Sequence, residues 1–199
     1  MKLAVFGGSF NPIHVGHLLN ASFASVQGGM DKVIFMPSGK HPFKDEKIFA
    51  DAAVRLEMIE KAVFGDERFL IEDYELKNEG MIYTYDTMLY LKEKYPEDEL
   101  YFLIGSDLLS ELPLWHKIRE LAKITTFLVA NRQSSDTMSI DERREELLKN
   151  FGVRIKVVSF PYITVSSTEI RNFVKEGKSI RYLVPDSVRE VIEEKRLYV

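Results

Sequence analysis

The sequence contains no cysteine, which excludes a disulfide framework, a thiolate metal site and a cysteine nucleophile. It has only one tryptophan and four histidines, so a site built from these residue types depends on few positions. No apolar run approaches the roughly 20 residues that cross a bilayer. The apolar part of Met1–Gly8 is too short for a secretory signal. We therefore expect a soluble, cytoplasmic protein with no membrane partner.

The chain also lacks a large excess of positive or negative charge. The chain carries 27 Lys and Arg against 31 Asp and Glu, a formal net charge of −4. We therefore expect no nucleic-acid partner, although a local basic cleft for a small anion is compatible with this balance. Hydrophobic residues make up 45% of the 199 residues, as in ordinary globular proteins. This length predicts a single domain over residues 1–199, with the part from about residue 165 onward closing it.

Short apolar runs alternate with segments of helical spacing along the chain. The predicted strands are Leu3–Phe6, Lys32–Met36, Arg68–Leu76, Leu100–Ile104, Thr125–Ala130 and Arg154–Phe160. The predicted helices are His17–Val26, Asp51–Phe64, Thr84–Tyr95, Ser139–Asn150, Ser166–Lys175 and Pro185–Arg196. Capping boxes at Ser139–Glu142 and Ser166–Glu169 mark two helix starts. This alternation predicts an α/β fold, a single doubly wound, Rossmann-like and mostly parallel sheet with helices on both faces.

The loop after the first predicted strand contains the strongest candidate site, because such folds bind ligands beyond the carboxyl ends of their strands. It lacks both the G-x-G-x-x-G pattern and the P-loop lysine. Its glycines permit close backbone approach, and the start of the next helix offers free N–H groups to an anion. His14 and His17 can add donors on the same side. A pair of ordinary core or surface histidines and a metal-binding pair are the alternatives. The candidate residues are Gly7, Gly8, Ser9, Phe10, His14, Gly16 and His17.

A second candidate anion site lies near the carboxyl terminus. Ser166, Ser167 and Thr168 supply hydroxyls at a predicted helix start, and Arg171 follows one turn later. Hydroxyls, backbone N–H groups and a guanidinium in this arrangement suit a phosphate. Taken alone, the segment is better explained as a capping box with Arg171 on a solvated face, and only its pairing with the first candidate site favours an anion site.

These two segments resemble motifs of a known superfamily. Gly8-x-Phe10-x-Pro12-x-His14-x-Gly16-His17 is similar to the signature of nucleotidyltransferases with a T/HxGH motif, and Val165–Arg171 resembles their second nucleotide motif. The resemblance extends over nearly the whole chain to bacterial nicotinate mononucleotide adenylyltransferases. The elements that carry this closer resemblance are Met36-Pro37, Tyr83-Thr84, Gly105-x-Asp107, Leu112-Pro113-x-Trp115, Leu183-x-Pro185 and Leu197-Tyr198.

The resemblance implies an activity and a set of site residues. The reaction is transfer of an adenylyl group from ATP to nicotinate mononucleotide, giving deamido-NAD and pyrophosphate, in NAD biosynthesis. Mg²⁺ would bridge phosphate oxygens rather than occupy a dedicated protein site. The implied catalytic residues are His14, His17, Lys44 and Arg171. The implied ATP-binding residues are Gly7, Gly8, Ser9, Phe10, His14, Gly16, His17, Gly105, Asp107, Arg132, Ser166, Ser167, Thr168 and Arg171. The implied mononucleotide-binding residues are Ser9, Lys44, Tyr83, Thr84, Asp107 and Trp115.

Several of these residues have a plainer explanation as well. Trp115 can stack on a pyridine ring or anchor the core. Thr84 starts a predicted helix, where it can cap the helix while neighbouring N–H groups receive a carboxylate. Asp107 can accept bonds from ribose hydroxyls, hold a metal through water or cap a helix. Lys44 can bind a phosphate or remain a solvated loop lysine.

The sequence departs from the family pattern in two loops. Phe43, after His41 and Pro42, stands where the family often has a histidine, and Gln133-Ser134 follows Arg132 in place of Pro-Gly. The alternative functions are adenylyl transfer to nicotinamide mononucleotide, a phosphopantetheine or cytidylyl transferase, and a non-catalytic nucleotide-binding paralogue. The sequence leaves open whether the chain forms a homo-oligomer and how strictly it selects nicotinate over nicotinamide.

Overall fold

The computed structural model describes residues 1–39, 49–78, 80–131, 137–159 and 164–199, with the backbone alone for 137–139. Within these residues, six strands form one parallel sheet in the order β3-β2-β1-β4-β5-β6. This is a doubly wound order: the chain adds β2 and β3 on one side of β1, and then β4, β5 and β6 on the other side. The strand order therefore reverses between β1 and β4, although all the strands stay parallel. The predicted α/β fold is therefore confirmed.

The sheet consists of central strands flanked by shorter ones. The strands are β1 Lys2–Gly8, β2 Lys32–Pro37, β3 Phe69–Ile71, β4 Glu99–Gly105, β5 Thr126–Asn131 and β6 Ile155–Ser159. The helices are α1 Val15–Val26, α2 Ala52–Val63, α3 Tyr74–Lys77, α4 Thr84–Lys94, α5 Ile118–Ile124, α6 Thr137–Phe151, α7 Ser167–Lys175 and α8 Asp186–Glu194. Two 3₁₀ turns, Ser106–Ser110 and Leu112–Leu114, connect β4 to α5. None of the helices in the described ranges has the length and apolarity needed to cross a membrane.

Alternation along each strand divides the core into two layers. In β1, Leu3 and Val5 face one layer and Ala4 faces the other, and all three side chains are fully buried. Burial on both faces explains why the predicted strands are continuous apolar runs rather than alternating patterns. The layer that contains Ala4 is covered by α1, α2, α7 and α8, and the opposite layer by α4, α5 and α6. The first and last helices of the chain therefore share one face of the sheet.

Several predicted elements are wrong in their bounds, among them the first helix, which begins at Val15 rather than at the predicted His17. The strand predicted over Arg68–Leu76 ends at Ile71, because it pairs with β2 over three residues only. The following carboxylate, that of Glu72, is turned toward Tyr90, Lys94 and Tyr95 of the α4 region, and a helical turn follows it. The capping box at Ser139 does not start its helix, since α6 begins two residues earlier at Thr137.

Candidate active site

The carboxyl ends of β1 and β4 lie side by side at the point where the strand order reverses. β1 ends at Gly8 and β4 ends at Gly105. A Cβ atom at Gly105 would lie 2.2 Å from Oδ1 of Asp107, so this carboxylate folds back over a backbone that must be bare. The predicted Gly105-x-Asp107 pair thus lies beside the first loop, where an open α/β sheet binds its ligands.

The loop after β1 has an unusual backbone. Phe10 has a φ of 45°, in the left-handed region that side-chain-bearing residues rarely adopt, and the Asn11–Pro12 peptide is cis. The Phe10 ring is buried and packs over Gly8, where an added Cβ would lie 3.1 Å from the ring. The side chain of Phe10 is therefore directed into the core.

The two histidines of the first motif stack on each other at the start of α1, with ring centroids 3.7 Å apart. The backbone N–H of His14 donates to Nδ1 of His17 over 3.2 Å. Because Nδ1 accepts a hydrogen bond, the neutral His17 ring carries its proton on Nε2. The His17 ring also contacts Phe10 and Phe6, at centroid distances of 5.0 and 5.8 Å. His17 is therefore oriented as an Nε2–H donor at a helix N-terminus.

His14 is more buried than its partner, with 5% of its surface exposed. Burial lowers the pKa of its imidazole to about 4, so the ring is neutral near pH 7. Its Nδ1 atom is buried and has no hydrogen-bond partner among the described residues. A buried polar atom without a partner is costly, which is typical of a group whose partner is a ligand.

The second motif docks directly on the first loop. Ser166 caps α7 by accepting the N–H of Glu169 over 3.2 Å, which confirms the predicted helix start. The Ser167 hydroxyl donates to the carbonyl oxygen of Pro12 over 2.9 Å, and Nη1 of Arg171 donates to that of Asn11 over 2.8 Å. Two helix N-termini, those of α1 and α7, are thereby joined through one loop.

Arg171 also donates a hydrogen bond within its own helix. Its Nη2 donates to the hydroxyl of Thr168 over 3.1 Å. The guanidinium is half-buried, and each of its two terminal nitrogens retains a second N–H. The predicted role of Arg171 as an anion donor is thus compatible with its role in holding the loop.

Hydrogen bonds that involve residues outside the predicted site also hold this loop in place. Asn11 Oδ1 accepts the N–H of Ala50 over 3.0 Å and the hydroxyl of Tyr198 over 2.7 Å. Nη1 of the buried Arg55 donates to the carbonyl oxygen of Ser9 over 2.7 Å. A sequence signal existed for Arg55, which shares a helix face with the apolar residues Met58 and Val63. No local pattern indicates the Tyr198 contact.

The other predicted anion site is the start of α4. Tyr83 is its N-cap, and the backbone N–H of Tyr83 donates to Asp86 Oδ2 over 3.1 Å. The N–H groups left at the first turn are those of Thr84 and Tyr85, since the first residues of a helix have no intrahelical acceptor. Tyr83 also stacks on His116, with centroids 4.3 Å apart. This contact brings the start of α4 next to the Trp115 loop.

Trp115 is half-buried against the sheet. Its ring meets Phe102 and Phe127 edge-on, each at a centroid distance of 5.9 Å. Phe102 in turn lies against Gly7, where an added Cβ would be 3.2 Å from the Phe102 ring. Trp115 therefore packs at the edge of the core, and the Phe102 ring lies between Trp115 and the end of β1.

Two predicted site residues, Lys44 and Arg132, lie outside the described residues, as do His41 and Phe43. Within the described part of the chain, no three histidine or acidic side chains gather closely enough to ligate a metal ion.

Known proteins are similar to this chain over most of its length. Residues 5–173 match the model of the cytidylyltransferase-like family. A Clostridium novyi protein named "Probable nicotinate-nucleotide adenylyltransferase" is 38% identical over 99% of this chain and 98% of its own length. A Caldicellulosiruptor bescii protein of the same name is 39% identical over 100% of this chain and 99% of its own.

A solved structure has the same fold. It is the Plasmodium falciparum nicotinic acid mononucleotide adenylyltransferase complexed with NaAD, with a TM-score of 0.80 at 20% identity. The alignment covers 99% of this chain and 97% of that one. Together, the family match and the near full-length relatives show that this chain belongs to the cytidylyltransferase-like family, in the branch of the nicotinate-nucleotide adenylyltransferases.

Proposed function

We propose that this protein joins ATP and nicotinate mononucleotide to give deamido-NAD and pyrophosphate. The observation that carries this proposal is the junction of two helix N-termini at one loop, at the carboxyl ends of β1 and β4. Helix N-termini favour anions through free N–H groups and the helix dipole. The names of the full-length relatives support a nicotinate nucleotide as acceptor and an adenylyl group as the group transferred.

The reaction needs positioning and charge stabilisation more than a protein nucleophile. A phosphate oxygen of the mononucleotide attacks the α-phosphorus of ATP in line, a new P–O bond forms, and the bond to pyrophosphate breaks. His17 donates Nε2–H to the phosphates, because His14 N–H fixes the other ring nitrogen as an acceptor. His14, Lys44 and Arg171 complete the proposed donor set. Such positioned donors are the main source of catalysis in phosphoryl transfer.

The proposed acceptor subsite lies on the α4 side of the β1–β4 edge. The first turn of α4 offers N–H groups to the nicotinate carboxylate, and the face of Trp115 offers a stacking surface to the pyridine ring. Asp107 accepts bonds from ribose hydroxyls. Mg²⁺, held chiefly by phosphate oxygens and through water by Asp107, would neutralise charge on the triphosphate. Oligomeric assembly plays no part in this proposal.

Pyrophosphate release measured with ATP and four separate acceptors tests the proposal. The acceptors are nicotinate mononucleotide, nicotinamide mononucleotide, phosphopantetheine and glycerol phosphate. We expect nicotinate mononucleotide to give the highest kcat/KM. A higher value with phosphopantetheine or glycerol phosphate would contradict the acceptor, and no release with any of them would indicate a non-catalytic paralogue.

His17→Ala provides the matching loss-of-function test. Removing one positioned donor typically costs about 10²–10³ in rate, so kcat should fall by that factor while the protein still folds. Leu19→Ala, an exposed position on the same helix, is the control and should leave kcat unchanged. Turnover of His17→Ala near the wild-type value would contradict the assigned site.

A further inference from the structure

The loop that carries the first motif is held in a conformation that its own residues do not favour. Phe10 adopts a φ of 45°, which a residue with a side chain occupies only when its surroundings impose it. The groups that surround the loop come from three distant parts of the chain: α2, α7 and the carboxyl terminus. What holds the loop therefore also decides where His14 and His17 lie.

The contacts of the carboxyl terminus are specific. The Tyr198 hydroxyl donates to Asn11 Oδ1 over 2.7 Å, and the residues it joins are 187 positions apart. Asn11 is fully buried, so this hydroxyl supplies one of the few bonds available to its side chain. Burial raises the pKa of the Tyr198 phenol, so its proton stays in place as a donor at any working pH. Tyr198 itself has a φ of 65°, which is also in the left-handed region.

Two arginines bind the backbone on either side of Phe10. Nη1 of Arg55 donates to the Ser9 carbonyl oxygen, and Nη1 of Arg171 donates to the Asn11 carbonyl oxygen. Their positive charges lower the pKa of the Tyr198 phenol, against the larger opposite effect of its burial. The loop is thus bound through its backbone by two arginines and through the Asn11 side chain by Tyr198.

We propose that Tyr198 is a positioning residue of the nucleotide site, which acts through Asn11 to set the loop that presents His14 and His17 to the phosphates. This rests on the proposed function and extends it to the end of the chain, which lies outside the residues assigned to substrate. A small displacement of catalytic donors can reduce a rate by orders of magnitude, so loss of one hydroxyl is expected to act on turnover.

The test is Tyr198→Phe, which keeps the ring and removes the hydrogen bond. We expect kcat to fall about tenfold, with the KM of the mononucleotide changed by less than about twofold. Tyr101→Phe is the matched control, because it removes a tyrosine hydroxyl that donates to Glu99 away from the loop. The Tyr101→Phe variant should leave kcat unchanged. If Tyr198→Phe lowers Tm but not kcat, or raises the acceptor KM as much as it lowers kcat, the positioning role is overturned.

A second variant tests whether Tyr198 acts through Asn11. In an Asn11→Ala background, adding Tyr198→Phe should change kcat by less than about twofold, because the acceptor of the hydroxyl is already gone. A full tenfold effect in that background would overturn the proposed route. If Asn11→Ala does not fold, the comparison of Tyr198→Phe with Tyr101→Phe decides the matter alone.

ATP binding separates failure of this inference from failure of the proposed function. If the wild type releases no pyrophosphate with any of the four acceptors, calorimetry with ATP replaces turnover as the readout. A Kd at least about fivefold weaker in Tyr198→Phe than in Tyr101→Phe supports the positioning role, and equal values overturn it. A wild type that does not bind ATP would overturn both the function and the inference.

Discussion

At the scale of single residues, the site depends on side chains whose chemistry is set by what packs against them. His17 is oriented by a backbone N–H and two phenylalanine rings, and His14 is kept neutral by burial. Gly105 leaves room for the Asp107 carboxylate to fold back over the chain. His14 and His17 therefore have different environments, although they lie within one turn of each other.

The buried imidazole of His14 predicts a pH-dependent stability. Its pKa is about 4 in the folded protein and near 6.5 when unfolded, so the unfolded chain takes up the proton first as pH falls. Stability is therefore lost between about pH 6.5 and pH 4, by an amount of about 3 kcal/mol at most. Urea unfolding at pH 7, 5.5 and 4 measures the loss.

His14→Gln is the control for this prediction, because it removes the titrating group. The variant should lose less unfolding free energy than the wild type over the same pH range. Identical losses in the two proteins would show that carboxylates alone cause the pH dependence and that the His14 pKa is not depressed.

The position of Trp115 predicts an effect on the acceptor. Stacking on an aromatic ring is worth about 1–3 kcal/mol for a base-like ring, so Trp115→Ala should raise the mononucleotide KM about 5- to 150-fold. The KM of ATP should change little. Phe127→Leu, at a buried ring that touches Trp115, is the control for lost packing and should alter stability without this difference. Equal effects of Trp115→Ala on both substrates would mean that Trp115 serves only the core.

At the scale of elements, helix starts supply the proposed anion sites. α1 begins at Val15, shortly after the Asn11–Pro12 turn, and the first turn of α7 is hydrogen-bonded to that turn. α4 begins on the other side of the sheet, where Tyr83 stacks on His116. The first N–H groups of each helix have no intrahelical acceptor. The α1 and α7 starts suit the triphosphate, and the α4 start suits the acceptor.

The start of α4 predicts selection of acid over amide. Its free N–H groups can bind both oxygens of a carboxylate, but they oppose the NH₂ of a carboxamide. Two carboxylates at this start are already engaged, since Asp86 accepts the N–H of Tyr83 and Glu75 accepts the hydroxyl of Thr87. Sites that leave a polar group unpaired discriminate by about 10⁴ or more. Parallel initial rates with nicotinate and nicotinamide mononucleotides should show this preference in kcat/KM.

Asp86→Asn sharpens the comparison, because an amide cap also offers an acceptor oxygen and keeps the helix start. The variant should retain the preference for the nicotinate form. Equal kcat/KM for the two mononucleotides in the wild type would contradict a donor-only site while leaving the adenylyl transfer intact.

At the scale of the whole molecule, the proposed ATP site is formed by segments that are far apart in the sequence. Residues of the first loop, α2, α7 and the carboxyl terminus meet on the face of the sheet covered by α1, α2, α7 and α8. A ligand that binds this junction binds the folded chain and not the unfolded one. Binding there should therefore stabilise the entire fold rather than one segment.

This coupling predicts a large thermal shift. At an ATP concentration of 100 Kd, linkage adds about 2.7 kcal/mol of stability, which for a chain of this length raises Tm by about 5–10 °C. Scanning calorimetry with and without ATP measures the shift. His17→Ala at the same ATP concentration should show a smaller shift, and an unchanged Tm of the wild type at saturating ATP would contradict a site shared by both ends.

Local patterns in the sequence were enough to predict the strand–helix alternation, the doubly wound sheet and the first loop as a site. Apolar runs, glycines and capping residues act within a few positions, so their effects can be read along the chain. They placed Gly7, Gly8, His14 and His17 at the end of β1 and the start of α1, where the structure has them. The same reasoning extended β3 too far, because the end of that strand depends on its pairing with β2.

Only the tertiary structure revealed what holds the loop. Arg55 and Ser9 are 46 positions apart, and Tyr198 and Asn11 are 187 apart, so no periodicity or spacing connects them. The neutral state of His14 likewise depends on burial by distant residues, and the half-buried position of Trp115 on Phe102 and Phe127 from two strands. Helix starts and strand ends follow from local backbone chemistry, whereas burial and long-range hydrogen bonds exist only once the sheet has brought both ends of the chain to one edge.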